Sequence, residues 1–120
     1  LLIMDIIVQL EDGSIANVEI QKIHYAFSGE RMSCYSSDLL LRQYTRVKGE
    51  KGDQFTYHDI KTVYTIVMFE DSPPECKSSD IFIHHGKTIF NTGIDLHLLQ
   101  EYYVVCRFVK HMLHRCQIIL

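Results

Sequence analysis

The chain has 120 residues, 47% of them apolar and 22% charged, and a formal net charge of −3 at pH 7. That size fits one domain, and that balance excludes a disordered tail and a protein that holds nucleic acid by bulk positive charge. No apolar run reaches the roughly 18–20 residues that span a bilayer, and no basic stretch with a cleavage site marks export.

In chain order, residues 3–10 and 14–23 read as a β-hairpin around Glu11-Asp12-Gly13. Its even positions (Met4, Ile6, Val8, Leu10, Ala16, Val18, Ile20) are all apolar, and its odd positions carry Asp5, Gln9, Asn17, Glu19 and Gln21. Strand side chains alternate between faces, so one face is apolar and the other gathers carboxylates and amides. A two-residue Asp12-Gly13 loop pairs Asp5 with Ile20 and mixes the two sets. A three-residue loop, with Gly13 in the left-handed position, pairs Leu10 with Ser14 and Asp5 with Glu19. The hydrophobic pattern favours the longer loop, because a one-residue slip moves every side chain to the other face. Like charges directly across a strand pair are destabilising, and a divalent cation is the usual remedy. A carboxylate that merely points to solvent stays open as the plainer alternative.

Residues 24–29 read as a connector. A helix is expected over residues 30–48, because Met32, Tyr35, Leu39, Leu40, Tyr44 and Val47 form an amphipathic stripe. Gly49 is its expected stop, with Arg46 and Lys48 in the last turn and a polar loop over 50–54. Residues 61–69 form an unbroken β-branched and aromatic run, expected as a strand buried on both faces. Residues 70–79, with Pro73-Pro74, read as a surface loop. Residues 80–85 read as a short strand, Asn91-Thr92-Gly93 as a turn, and residues 96–105 as containing a strand best placed over 102–105. From Phe108 the spacing of Met112 and Cys116 is helix-like. Strand runs split by a helix predict a mixed α/β sheet. Cys34, Cys76, Cys106 and Cys116 are widely scattered, with neither a zinc nor a disulfide framework legible, as in a chain of the reducing cytoplasm.

Asp5…Glu19-Ile20-Gln21 resembles the catalytic motif of the PD-(D/E)XK nuclease superfamily, in the branch of nuclease-family transposases (recombination-promoting nucleases) where Gln replaces the usual Lys. Collinear blocks carry the resemblance over most of the chain, to about Val105. They include Asn17-Val18-Glu19-Ile20-Gln21-Lys22, Gly29-Glu30-Arg31, Asp38-Leu39-Leu40-Leu41-Arg42-Gln43-Tyr44, Val63-Tyr64-Thr65-Ile66-Val67, Ile83-His84-His85 and Leu98-Leu99-Gln100-Glu101-Tyr102. The resemblance implies a restriction-endonuclease-like mixed sheet flanked by helices. The family's first helix, with its acidic residue, is expected to precede the first strand and to be missing from this sequence, and the chain is expected to be altered after about residue 105. It further implies that Asp5, Glu19 and the backbone carbonyl of Ile20 ligate Mg²⁺ or Mn²⁺, that Gln21 orients the attacking water, and that the activity is metal-dependent DNA endonuclease. DNA is the implied partner, with no membrane, a cytoplasmic location, and a homodimer as an open alternative to the monomer.

Other groups read more plainly. Adjacent His84 and His85 on a strand point to opposite faces and cannot share an ion, so both read as structural or surface residues. His111 and His114, at i and i+3, lack a further ligand at recognisable spacing. Of the cations on or after the helix, Arg31, Arg42, Arg46, Lys48 and Lys51, Arg31 is the best phosphate candidate because it lies near the motif strand. Arg46 and Lys48 fit a solvated helix end. Tyr35 and Tyr44 fit the core stripe better than base stacking. The competing reading is a catalytically inactive remnant, or a DNA- or protein-interaction module, on the same fold.

Overall fold

The turn at Asp12-Gly13 sets the register of the sheet. In the computed structural model, which describes residues 6–22, 27–77 and 80–106, Gly13 has φ +92° and donates its N–H to the Leu10 carbonyl at 3.0 Å. Leu10 N donates to the Ser14 carbonyl at 2.8 Å, and the Asp12 carboxylate accepts from Ser14 N, also at 2.8 Å. The loop is therefore the three-residue one. Strands β1 (Ile6–Gln9) and β2 (Ile15–Gln21) are antiparallel and pair Gln9 with Ile15, Val8 with Ala16 and Ile6 with Val18. Asp5 lies outside the described residues.

A crossover through helix α1 (Gly29–Lys51) brings β3 (Val63–Phe69) alongside β2 in parallel. A one-turn helix α2 (Pro74–Lys77) interrupts what reads from sequence as loop, and β4 (Ile83–Lys87) and β5 (Gln100–Val105) complete the sheet. Spatial order is β1-β2-β3-β5-β4, with β3–β5 parallel and β4–β5 antiparallel. The fold is mixed α/β, with a five-stranded mixed sheet and one long helix among the described residues. Among the described residues no helix is long and apolar enough to cross a membrane.

Helix α1 starts at Ser28, whose Oγ accepts from Arg31 N at 3.2 Å. It runs through Gly49, the expected stop, and ends at Gly52, where φ is +55° and the N–H returns to the Lys48 carbonyl. A glycine inside a helix costs only about 1 kcal/mol, whereas a positive φ ends the helix, so Gly52 is the effective stop.

The helix packs on the odd-numbered face of β2 and β3. Tyr35 joins Phe27, Val67 and Phe69 in one apolar cluster, and Leu39 joins Ile15 and Val63 in another. Buried Ser36 and Gln43 sit on the same helix face. Ser36 Oγ accepts from Gln100 Nε2 at 2.9 Å, and the Gln43 amide bridges both backbone groups of Lys61. The polar side of the hairpin lies under the helix, and the even, apolar side carries no described helix. One expectation is corrected here. Strand β3 alternates buried and half-buried residues, because it is central in the sheet but helix-covered on one face only among the described residues.

Candidate functional site

Glu19 and Gln21 stand two apart at the C-terminal end of β2, so both project to the helix-covered face. Glu19 is 2% exposed and Gln21 half-buried. Their partners on β3, Val67 and Phe69, belong to the cluster with Phe27 and Tyr35. Arg31 lies over that aromatic pair, its guanidinium carbon 4.8 Å from the Phe27 centroid and 5.2 Å from that of Tyr35, and its Nη2 donates to the Tyr35 hydroxyl at 2.9 Å. The structure thus joins Arg31 to the Glu19–Gln21 end of the sheet through one aromatic cluster.

Asn17, two residues before Glu19 on the same face, is fully buried, as is its β3 partner Thr65. Among the described residues, neither the Asn17 amide nor the Thr65 hydroxyl has a hydrogen-bond partner. Unsatisfied buried polar atoms cost about 1–3 kcal/mol each, and such atoms mark places where an ion or water belongs. The hard oxygen donors along this lane, the Glu19 carboxylate and the Asn17 amide oxygen, match what Mg²⁺ or Mn²⁺ accepts.

The other cations are mostly engaged within the chain. Arg42 pairs with Asp38 at 2.7 Å, Lys48 donates to the Tyr44 hydroxyl at 3.0 Å, and Lys51 lies 3.8 Å from Asp59. The Lys48 ammonium lowers the pKa of the Tyr44 phenol. Tyr35 is core as expected, whereas Tyr44 is half-buried and stacks near-parallel on exposed Tyr57.

The two adjacent histidines face opposite ways, as expected. On the face away from the helix, His85 stacks on Tyr103 at 4.3 Å and its Nε2 meets the Glu101 carboxylate at 2.7 Å. Nearby Tyr64 has a raised phenol pKa, first from burial and then from the charge of Glu101. On the helix face, His84 is half-buried, and its Nε2 is sealed from solvent with no hydrogen-bond partner among the described residues. Buried Cys76, on α2, and buried Cys106, just after β5, form a disulfide with Cα atoms 6.3 Å apart. The donor atoms of Cys76, His84 and Cys106 all lie within 4.8 Å of one another. Sequence spacing could not find this group. Its members are 8 and 22 residues apart, and only the antiparallel β4–β5 ladder, with Cys106 N donating to the Phe82 carbonyl, closes it. The expectation of four cysteines without a framework is corrected for these two, while Cys34 is free and exposed. Cys116, His111 and His114 lie outside the described residues.

A scan against protein-family models, a search of curated proteins and a search of solved structures each return no match to this chain.

Proposed function

We propose that this chain is a metal-dependent DNA endonuclease domain of the PD-(D/E)XK transposase-like type, on a restriction-endonuclease-like sheet, hydrolysing phosphodiester bonds without a covalent intermediate. The observation that carries it is the Asp5…Glu19-Ile20-Gln21 motif, set on a hairpin whose three-residue loop is the one its polar pattern required. The collinear sequence blocks support the same assignment.

Glu19, Asp5 and the Ile20 carbonyl would hold Mg²⁺ or Mn²⁺. That ion, when bound, polarises the scissile phosphate and makes bound water more acidic. Gln21 orients the attacking water by donating and accepting hydrogen bonds, and its amide cannot act as a base near neutral pH. Arg31, stacked on Phe27 and Tyr35, supplies a fixed positive charge for a phosphate oxygen.

The burial of Glu19 at 2% exposure favours a second reading, a non-catalytic interaction module, because a scissile phosphate must reach the carboxylate's ion. Nicking of supercoiled plasmid in Mg²⁺ or Mn²⁺ separates the two. The nuclease reading predicts nicks from the wild type and none from Asp5→Ala or Glu19→Ala. Equal nicking by all three chains sinks the site, and no nicking by the wild type leaves the interaction module.

A further inference from the structure

The Cys76–His84–Cys106 cluster is independent of the nuclease motif. Glu19, Val67, Val104 and His84 form one register row across β2, β3, β5 and β4, so His84 stands three strand spacings from Glu19. That is about 14 Å, too far to share an ion. We propose that the reduced chain binds one Zn²⁺ through Cys76 Sγ, Cys106 Sγ and His84 Nε2, with water in the fourth position, and that the disulfide is the metal-free form of the same site.

Two observations point to a ligand. The first is His84 Nε2, a buried nitrogen without a partner among the described residues. A native structure rarely leaves such an atom idle, because it loses its bonds to water and gains nothing in return. The second is the convergence of two soft sulfurs on the same imidazole. Two thiolates and one imidazole are the donor set that zinc prefers, and their two negative charges neutralise the ion between two buried cysteines. Zinc–sulfur bonds of about 2.3 Å and zinc–nitrogen bonds of about 2.0 Å put ligand atoms about 3.5–3.8 Å apart. The cluster reaches that geometry when the sulfurs separate and the imidazole closes slightly.

The step balances as follows. A dithiol reductant delivers two electrons to the Cys76–Cys106 bond and becomes a cyclic disulfide, while the two cysteines take its two protons as thiols. Zn²⁺ then displaces those two protons to solvent, and neutral His84 binds through its Nε2 lone pair. Disulfide and zinc exclude each other because both use the same sulfur electron pairs. Either one ties α2 to the ends of β4 and β5, so reduction without metal leaves this edge of the sheet unfastened.

The test uses Co²⁺ as an optical probe on a chain carrying Cys34→Ser and Cys116→Ser, reduced with a dithiol that is then removed. The expected result is a sulfur-to-cobalt charge-transfer band with tetrahedral ligand-field bands, saturating at one equivalent and bleached by Zn²⁺. Cys106→Ser and His84→Ala each lose that spectrum. The oxidised form of the same chain, with its disulfide intact, serves as a folded control and shows no band. Zn²⁺ raises the thermal midpoint of the reduced chain and leaves that of the oxidised chain unchanged. Absence of the bands from the reduced chain, their survival in either variant, or their presence in the oxidised chain overturns the proposal.

Discussion

Gln43 shows how much of the helix's hold on the sheet is polar. Its side chain is 2% exposed, accepting from Lys61 N at 2.6 Å and donating to the Lys61 carbonyl at 3.0 Å. Gln43→Ala strips both Lys61 groups at once and should cost about 1–3 kcal/mol for each partner left dry, read as a lower urea midpoint at unchanged slope. Leu39, 3% exposed between Ile15 and Val63, is the apolar counterpart. Leu39→Ala should cost about 2–5 kcal/mol in the same experiment. Sequence periodicity picked out Leu39 and Tyr35, because apolar residues announce a buried face. It passed over Ser36 and Gln43, because a polar side chain in the core is defined only by a partner, and theirs, Gln100 and Lys61, are distant in sequence. Asp12 adds a pH signature. Its carboxylate is held below the usual range, first by the Ser14 backbone N–H and then by the Ser14 side chain. A depressed folded pKa means stability that is fully present above the unfolded value of about 3.9 and lost as pH falls through the lower folded value. The thermal-midpoint difference between the wild type and Asp12→Ala should therefore hold at neutral pH and shrink as pH drops below that range.

Two glycines separate turn from helix at the level of elements. Gly13 sits at φ +92°, and a Cβ there would meet Lys61 Cγ at 3.1 Å. Gly13→Ala should destabilise by about 1–2 kcal/mol, because the left-handed position resists any side chain and the register depends on it. Gly49 lies inside α1 with nothing within 4 Å of an added Cβ. Gly49→Ala should stabilise by about 0.5–1 kcal/mol. Both changes are read by chemical denaturation, and opposite signs are the expected result. The hairpin register was legible because a slip would have scrambled its apolar set. The helix end was not, because Gly49 and Gly52 look alike in sequence and differ only in the backbone angle that the following turn, Gly52–Gln54, imposes. Strand β4 was placed a few residues early, since Ile81 and Phe82 are as apolar as Ile83, and pairing with β5 alone decides where the ladder begins.

Among the described residues, the helix covers the face of the sheet that carries the hairpin's polar set. The side that reads as apolar carries no described helix, and the side holding Asn17, Glu19 and Thr65 lies beneath α1. Composition cannot foresee this, because the side that α1 covers is decided by the crossover from β2 to β3. Burying a carboxylate under a helix is costly unless it is compensated; Glu19 interacts within the chain, and the proposed divalent cation would add to that compensation. The proposed zinc site lies on the same face, at the β4 edge of the sheet, and would take soft sulfur donors, whereas the proposed Mg²⁺ or Mn²⁺ site would take hard oxygens.

Mn²⁺ binding, followed by loss of the free-ion electron paramagnetic resonance signal, tests the Glu19 assignment most directly. The wild type should sequester Mn²⁺, Mg²⁺ should displace it, and Glu19→Ala should abolish the effect while His84→Ala retains it. Mn²⁺ binding that is absent from the wild type, or undiminished in Glu19→Ala, would contradict the assignment.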